Sequence, residues 1–172
     1  MNTWIALLRG VNVSGHHKLP MKDLVKVMEK AGFKEVKTYI QSGNLVYKSD
    51  EKRPEDLVNL IDTHFGFKPA VFIMNKMDLE AAASNNPYTA DQGKMIHFFF
   101  LDQTPEKPDF ELLNSVKSPT EDFRLIENVF YLYAPDGIGR SKLAEKVGRA
   151  LKGCSMTARN LNTIEKLLVM AD

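Results

Sequence analysis

The order of strand and helix signals along the chain predicts an α+β protein: two ferredoxin-like halves of β-α-β-β-α-β order plus a C-terminal helix. Three observations carry this. Short β-rich runs and amphipathic helical stretches follow one another in the same order twice. Gly, Asn and Pro punctuate them where hairpins and helix ends need such residues. The segment richest in turn residues, Ser84 to Lys94, separates the two series and is the expected boundary, with residues 1–84 as one half and 94–172 as the other.

In the first half, Thr3 to Arg9 is apolar at nearly every position and reads as a strand covered on both faces. A Gly- and Asn-bearing loop runs from Gly10 to Leu19. Pro20 is placed to open a helix whose core residues, Met21, Leu24, Val25 and Met28, recur at helical spacing until Gly32 stops it. Val36 to Gln41 and Leu45 to Lys48 read as strands joined by a hairpin, with Gly43-Asn44 as a two-residue turn. Pro54-Glu55-Asp56 begins a second helix with its acids in the first turn, where the helix dipole favours them. Leu57, Leu60, Ile61 and Phe65 face inward and Gly66 ends it, before a fourth strand from Ala70 to Met74.

After a short helix from Met77 to Ala83 the order repeats. Met95 to Leu101 is a strand and Phe110 to Val116 a helix. Phe123 to Glu127 and Val129 to Ala134 form a hairpin, and Arg140 to Leu151 a helix. Cys154 to Thr157 is the last strand, and Asn160 to Met170 the C-terminal helix. Either Asn162 with Glu165 or Asn160 can cap that helix. What repeats is the order of elements; the residues themselves show no clear repeat.

The chain has 172 residues, 44% of them hydrophobic, which is enough to bury a core without a disulfide or metal. Its one cysteine, Cys154, and eight methionines fit a reducing compartment, so a cytoplasmic location is expected. No apolar run reaches bilayer length, so no membrane partner is expected. Lysine and arginine number 23 against 22 acids, for a net charge of +1, which argues against a nucleic-acid footprint over the whole surface but leaves a local basic site open. Phe98, Phe99 and Phe100 are consecutive and must point to both faces of a sheet, which indicates a covered sheet rather than an open RNA platform.

The first candidate site is RGVNVSGHHK, Arg9 to Lys18. Gly10 and Gly15 have the G-x-x-x-x-G spacing of a phosphate loop, after a strand and before a helix. Such a loop needs Lys and then Ser or Thr directly after the second Gly; His16 and His17 stand there instead, so the nucleotide-hydrolase reading is rejected. A weaker reading keeps the backbone amides as an anion nest, with Arg9 and Lys18 as counter-charges and Asn12 as a donor. Against it stands a loop whose glycines serve backbone geometry alone. The adjacent histidines lack partners at metal-ligand spacing, and His64 and His97 are isolated, so no metal and no cofactor is expected.

Gln41-Ser42-Gly43-Asn44 is polar, but the turn accounts for Gly43 and Asn44, leaving Gln41 and Ser42 as its functional content. Gly139-Arg140-Ser141-Lys142 leads into a helix N-terminus, where two cations oppose the macrodipole. A bound anion would relieve that conflict, and charges splayed into solvent would explain it equally. Arg159 and Asn160 lie in a polar stretch, Thr157 to Thr163, that opens the last helix, with capping the first explanation and anion binding the second. Cys154 has no histidine nearby in sequence and reads as a small hydrophobe.

Four ordered stretches, ALLRGVNVSGHHKLPM (Ala6 to Met21), TYIQSGNLV (Thr38 to Val46), PDGIGRSKL (Pro135 to Leu143) and TARNLNT (Thr157 to Thr163), together resemble the bacterial domain of unknown function 1697 family over essentially the whole chain. The resemblance implies a cytosolic protein of two similar α+β halves and no established activity, substrate or cofactor. The family often has Lys or Asn where this chain has His16 and His17, which weakens a metal reading further. Three readings stay open: a binding protein for a phosphate-bearing ligand, either a nucleotide-like molecule or a nucleic-acid backbone; a scaffold or interaction module; and an enzyme acting on a phosphorylated substrate. The sequence names no reaction and is silent on oligomeric state.

Overall fold

In the computed structural model, which describes Met1 to Asp172, the chain forms two four-stranded antiparallel sheets flanked by helices. It divides into two compact units, Met1–Ala81 with Glu165–Asp172, and Ala82–Ile164. The division falls within the helices at Lys76–Ser84 and Leu161–Met170.

The first unit contains β1 (Asn2–Leu8), α1 (Met21–Lys30), β2 (Lys34–Tyr39), β3 (Asn44–Ser49), α2 (Pro54–Phe65) and β4 (Val71–Asn75), followed by the start of α3 (Lys76–Ser84). Its sheet order, β2-β3-β1-β4, is the ferredoxin-like arrangement. Period-two alternation puts Ala6, Leu8, Leu45 and Tyr47 on one sheet face, where they pack with Leu24 and Met28 of α1 and Leu57 and Ile61 of α2. Ile5 and Leu7, on the opposite face, are fully buried too, which explains why β1 reads as an unbroken apolar run. Arg53 joins the end of α1 to the start of α2. Its guanidinium donates to the Ala31 carbonyl at 3.0 Å, pairs with Asp56 at 2.7 Å and lies 4.1 Å over the Phe33 ring.

The second unit repeats the topology with β5 (Ile96–Leu101), α4 (Phe110–Val116), β6 (Asp122–Ile126), β7 (Val129–Tyr133), α5 (Lys142–Ala150) and β8 (Met156–Asn160), followed by the start of α6 (Leu161–Met170). The sheet order is β6-β7-β5-β8. Phe99, Leu101, Phe130 and Leu132 pack with Leu113 of α4 and Leu143, Val147 and Ala150 of α5. All of β5 is buried, so Phe98, Phe99 and Phe100 lie in a sheet covered on both faces. No helix is long and apolar enough to cross a membrane.

Four local expectations are corrected. Pro20 is extended, with ψ 110°, and precedes α1 rather than opening it. Asn44 is not a turn residue: it pairs with Tyr39 and Leu7 as the first residue of β3, and Ile40 to Gly43 make the turn. Arg140 is not in α5. Ile138–Arg140 form a separate 3-10 turn, because the buried Ser141 hydroxyl accepts from the Ala144 amide and fixes the helix start at Lys142. Thr157 to Asn160 do not open a helix; they continue β8, with Arg159 opposite Phe98 and Asn160 opposite His97. Asn160 is then the cap of α6, accepting from the Thr163 amide at 3.0 Å.

Candidate functional site

The loop from Arg9 to Pro20 is a small hairpin standing on the end of β1. The His16 amide donates to the Val13 carbonyl at 2.9 Å and the Asn12 amide to the His17 carbonyl at 3.0 Å. Ser14 and Gly15 at its tip both have positive φ, 49° and 76°, as a primed two-residue turn demands. The G-x-x-x-x-G spacing thus has a geometric origin: Gly15 is a turn apex, and the Asn12, His16 and Leu19 amides are already committed. Asn12, itself at φ 55°, is the staple of the region. Its carboxamide oxygen accepts from the Leu19 amide at 2.7 Å, and its Nδ2 donates to the carbonyls of Leu19 at 3.0 Å and Gln41 at 2.7 Å.

That last bond brings the Arg9–Lys18 and Gln41–Asn44 stretches together, as does Gly43. With φ 86°, its missing side chain leaves room for Val11 and Leu8; a Cβ there would lie 2.7 Å from Val11 Cγ2 and 2.8 Å from Leu8 Cβ. Asn44 is fully buried and donates to the Tyr39 carbonyl and the Ser42 hydroxyl. Asn12, Ser42, Gly43 and Asn44 therefore hold two loops in one conformation, while Gln41 contributes its backbone carbonyl.

Outside this braced base the hairpin and the segment leading into β4 enclose an open cleft of about 560 Å³. Its ionisable lining consists of Arg9, His16, His17 and Lys68, with no carboxylate among the lining residues. No ion pair in the protein uses Arg9, and Lys68 has only Asp62, at 3.9 Å. The cleft is positioned by β-pairing: Leu8 sits opposite Val71, and the Arg9 amide donates to the Ala70 carbonyl at 3.0 Å, so the end of β1 and the start of β4 are neighbours. His17, at φ 49°, stacks on Phe67 with ring centroids 4.5 Å apart and 13° between planes. Lys18 does not line the cleft.

The sequence did not point to Lys68 and Phe67; His16 and His17 are exposed loop residues, and what sequence alone leaves out is the stacking of His17 on Phe67. The signal was available in the topology: in a ferredoxin-like sheet β4 pairs with β1, so the residues before β4 flank those after β1.

In the second unit, Gly139 and Arg140 are exposed in the 3-10 turn, Ser141 is a buried cap, and Lys142 is exposed on the first turn of α5. With Arg140 outside the helix, only Lys142 opposes the dipole there. Arg159 lies on the opposite side of the sheet from α5, since it pairs with Phe98 while α5 packs against Phe99 and Leu101. Its guanidinium donates to the Thr157 hydroxyl and the Ala158 carbonyl at 2.8 Å each, and burial pushes its pKa down to about 10. Arg159 and Lys142 thus do not form one basic patch. Burial first, and the Asp102 charge second, push the Cys154 thiol above its usual range, the opposite of what a nucleophile needs. No group of three or more His, Cys, Asp or Glu side chains is placed to hold a metal ion.

Duplicated ferredoxin-like sheets, with a cationic cleft at one end of the first, define the chain as a two-unit α+β protein of repeated topology. It belongs to the family described as protein of unknown function DUF1697, whose sequence profile matches residues 1–131. Among solved structures it is similar to the conserved bacterial protein SP0830 from Streptococcus pneumoniae, at 23% identity and a TM-score of 0.70 over 99% of each chain, a likeness of fold. No curated protein matches the chain.

Proposed function

We propose that the protein is a cytoplasmic binding protein for a phosphate-bearing ligand, and that the ligand's anionic group is held in the first-unit cleft by Arg9 and Lys68. One observation carries this reading: the ionisable lining of the cleft is wholly basic or imidazole, and Arg9 has no carboxylate partner. An unpaired guanidinium presents a rigid fork of donors suited to phosphate. The strained backbone of Ser14 and His17 around it supports the same reading, since such conformations persist where the surroundings over-determine them and concentrate at functional sites.

The reading is tested by thermal melts of the full chain with inorganic phosphate and sulfate at low and moderate salt. At ten times Kd, phosphate should raise Tm by about 3 to 5 °C. Arg9→Ala should remove that gain while leaving the unliganded melt within about 1 °C of wild type, as for an exposed side chain without partners. No gain in the wild type, or an equal gain in the variant, removes the basis of the reading.

A second reading, a scaffold without ligand, is supported by Asn12 and Asn44, whose side chains serve the loops themselves. It is the outcome left standing if phosphate gives no gain.

A further inference from the structure

Resting on the anion-binding reading above, we infer that the ligand of the first-unit cleft is a nucleoside phosphate, with its base stacked on the His17 ring. The cleft is far larger than a bare phosphate needs: about 560 Å³ lies within the range of small-molecule and cofactor sites. One wall is aromatic. Phe67 is packed against the core of the first unit, and His17 lies over it, nearly parallel at 13°, with its outer face in solvent. The imidazole is therefore clamped on one side and open on the other.

The His17 backbone is held in the left-handed region, φ 49°, with its carbonyl accepting from the Asn12 amide, so the platform is set before any ligand arrives. Exposed Val13, 55% accessible at the hairpin tip, adds an apolar contact on the same cleft. Lys68 follows Phe67 directly in the chain, and Arg9 is tied to Ala70 through its amide. Arg9 and Lys68 thus line the same cleft as the His17 platform. An aromatic ring beside a phosphate donor set is the recognition chemistry of a nucleotide. The balanced net charge of +1 favours a free nucleotide over a polynucleotide, which would need a longer basic track.

Isothermal titration calorimetry of the full chain with adenosine 5′-monophosphate, adenosine, inorganic phosphate and a six-nucleotide oligoadenylate tests this. The monophosphate should bind about tenfold tighter than inorganic phosphate, the contribution expected of one stacked base, and also tighter than adenosine. His17→Asn keeps a residue that tolerates the left-handed backbone while removing the ring. It should bring the monophosphate down to the level of inorganic phosphate and leave phosphate binding unchanged. Arg9→Ala should weaken both. Phosphate binding with no advantage for the monophosphate, or an advantage that survives His17→Asn, overturns the nucleoside inference and leaves the anion site standing. Absence of binding by every probe overturns both. Oligoadenylate binding more than sixfold tighter than the monophosphate, beyond its number of equivalent units, overturns the free-nucleotide assignment.

Discussion

The two units share one strand order but carry backbone strain in different places. Every non-glycine residue with positive φ lies in the first unit except Glu127. Asn12, Ser14, His17 and Ile40 are concentrated in the β1–α1 loop and the β2–β3 turn. Ile40 is the most unusual, since a β-branched side chain is disfavoured in the left-handed region. The equivalent connections of the second unit carry one such residue, Glu127. From Asp102 to Asp109 no residue has positive φ, and the segment is bonded to the α5–β8 connection by Asp102 to Ser155 and Gln103 to Gly153. The β6–β7 hairpin closes in two residues, Glu127 and Asn128. Of these two residues only Glu127 has positive φ, so the same architecture can be closed with far fewer left-handed residues. The excess in the first copy is not a requirement of the fold, and part of it, at Ser14 and His17, lies in the cleft lined by Arg9 and Lys68.

The comparison breaks most sharply at glycine. Gly43→Ala should cost about 2 to 4 kcal/mol, combining a left-handed alanine with overpacking against Leu8 and Val11. Gly137→Ala in the second unit has φ 102° but open space around it, and should cost about 1 to 2 kcal/mol. Chemical denaturation of both variants checks this; equal losses would mean that the first-unit loops are not the more tightly determined.

Asn12→Ala should cost about 1 to 3 kcal/mol, because it leaves the Leu19 amide and two carbonyls without their partner and places alanine at φ 55°. Hydrogen exchange should quicken at Leu19 and around Gln41 and leave the second unit untouched. Uniform acceleration across both units would sink the idea of a local staple.

How far these features were legible in the sequence depends on how local their causes are. Element order, the helix faces of Met21, Leu24 and Met28, and the covered strand Ile96 to Leu101 follow from periodicity, which is a property of neighbouring residues. Gly43-Asn44 was misread because an Asn after a Gly looks like a hairpin turn. The real reasons, the close approach of Val11 and the burial of Asn44 beside Leu7, come from residues far away in the chain. Arg140 was assigned to the helix because it follows the last glycine of the turn, Gly139, whereas the Ser141 cap decides the boundary. The cleft was half legible: Arg9 stood out, but Lys68 and Phe67 become its neighbours only through β1–β4 pairing.

A third prediction concerns the second unit alone. His97 is buried in β5, and its Nε2 has no hydrogen-bond partner. Burial pushes its pKa below the usual value of 6.5, partly opposed by a hydrogen bond to the Lys94 backbone. An imidazole depressed in the folded state takes its proton more readily when unfolded. Its contribution to stability is therefore whole above pH 6.5 and is lost as pH falls below it. Tm measured from pH 7.5 to pH 5 should fall more steeply in the wild type than in His97→Gln. Parallel curves would show that another group sets the acid limb.

The smallest effect should come from Arg140→Ala. A cation inside the first turn of a helix would cost a few tenths of a kcal/mol to about 1 kcal/mol, and its removal would then stabilise the protein. Arg140 is instead exposed in the 3-10 turn before the Ser141 cap, and no ion pair uses it. Its removal should change stability by less than about 0.5 kcal/mol in either direction. It should also leave the phosphate-induced rise in Tm intact, because that rise is assigned to Arg9 and Lys68. Melts of wild type, Arg9→Ala and Arg140→Ala with and without phosphate separate the cases. Loss of the phosphate effect in Arg140→Ala but not in Arg9→Ala would move the anion site to the second unit and detach the strained loops from binding. Loss in Arg9→Ala alone would join strain and charge in one place.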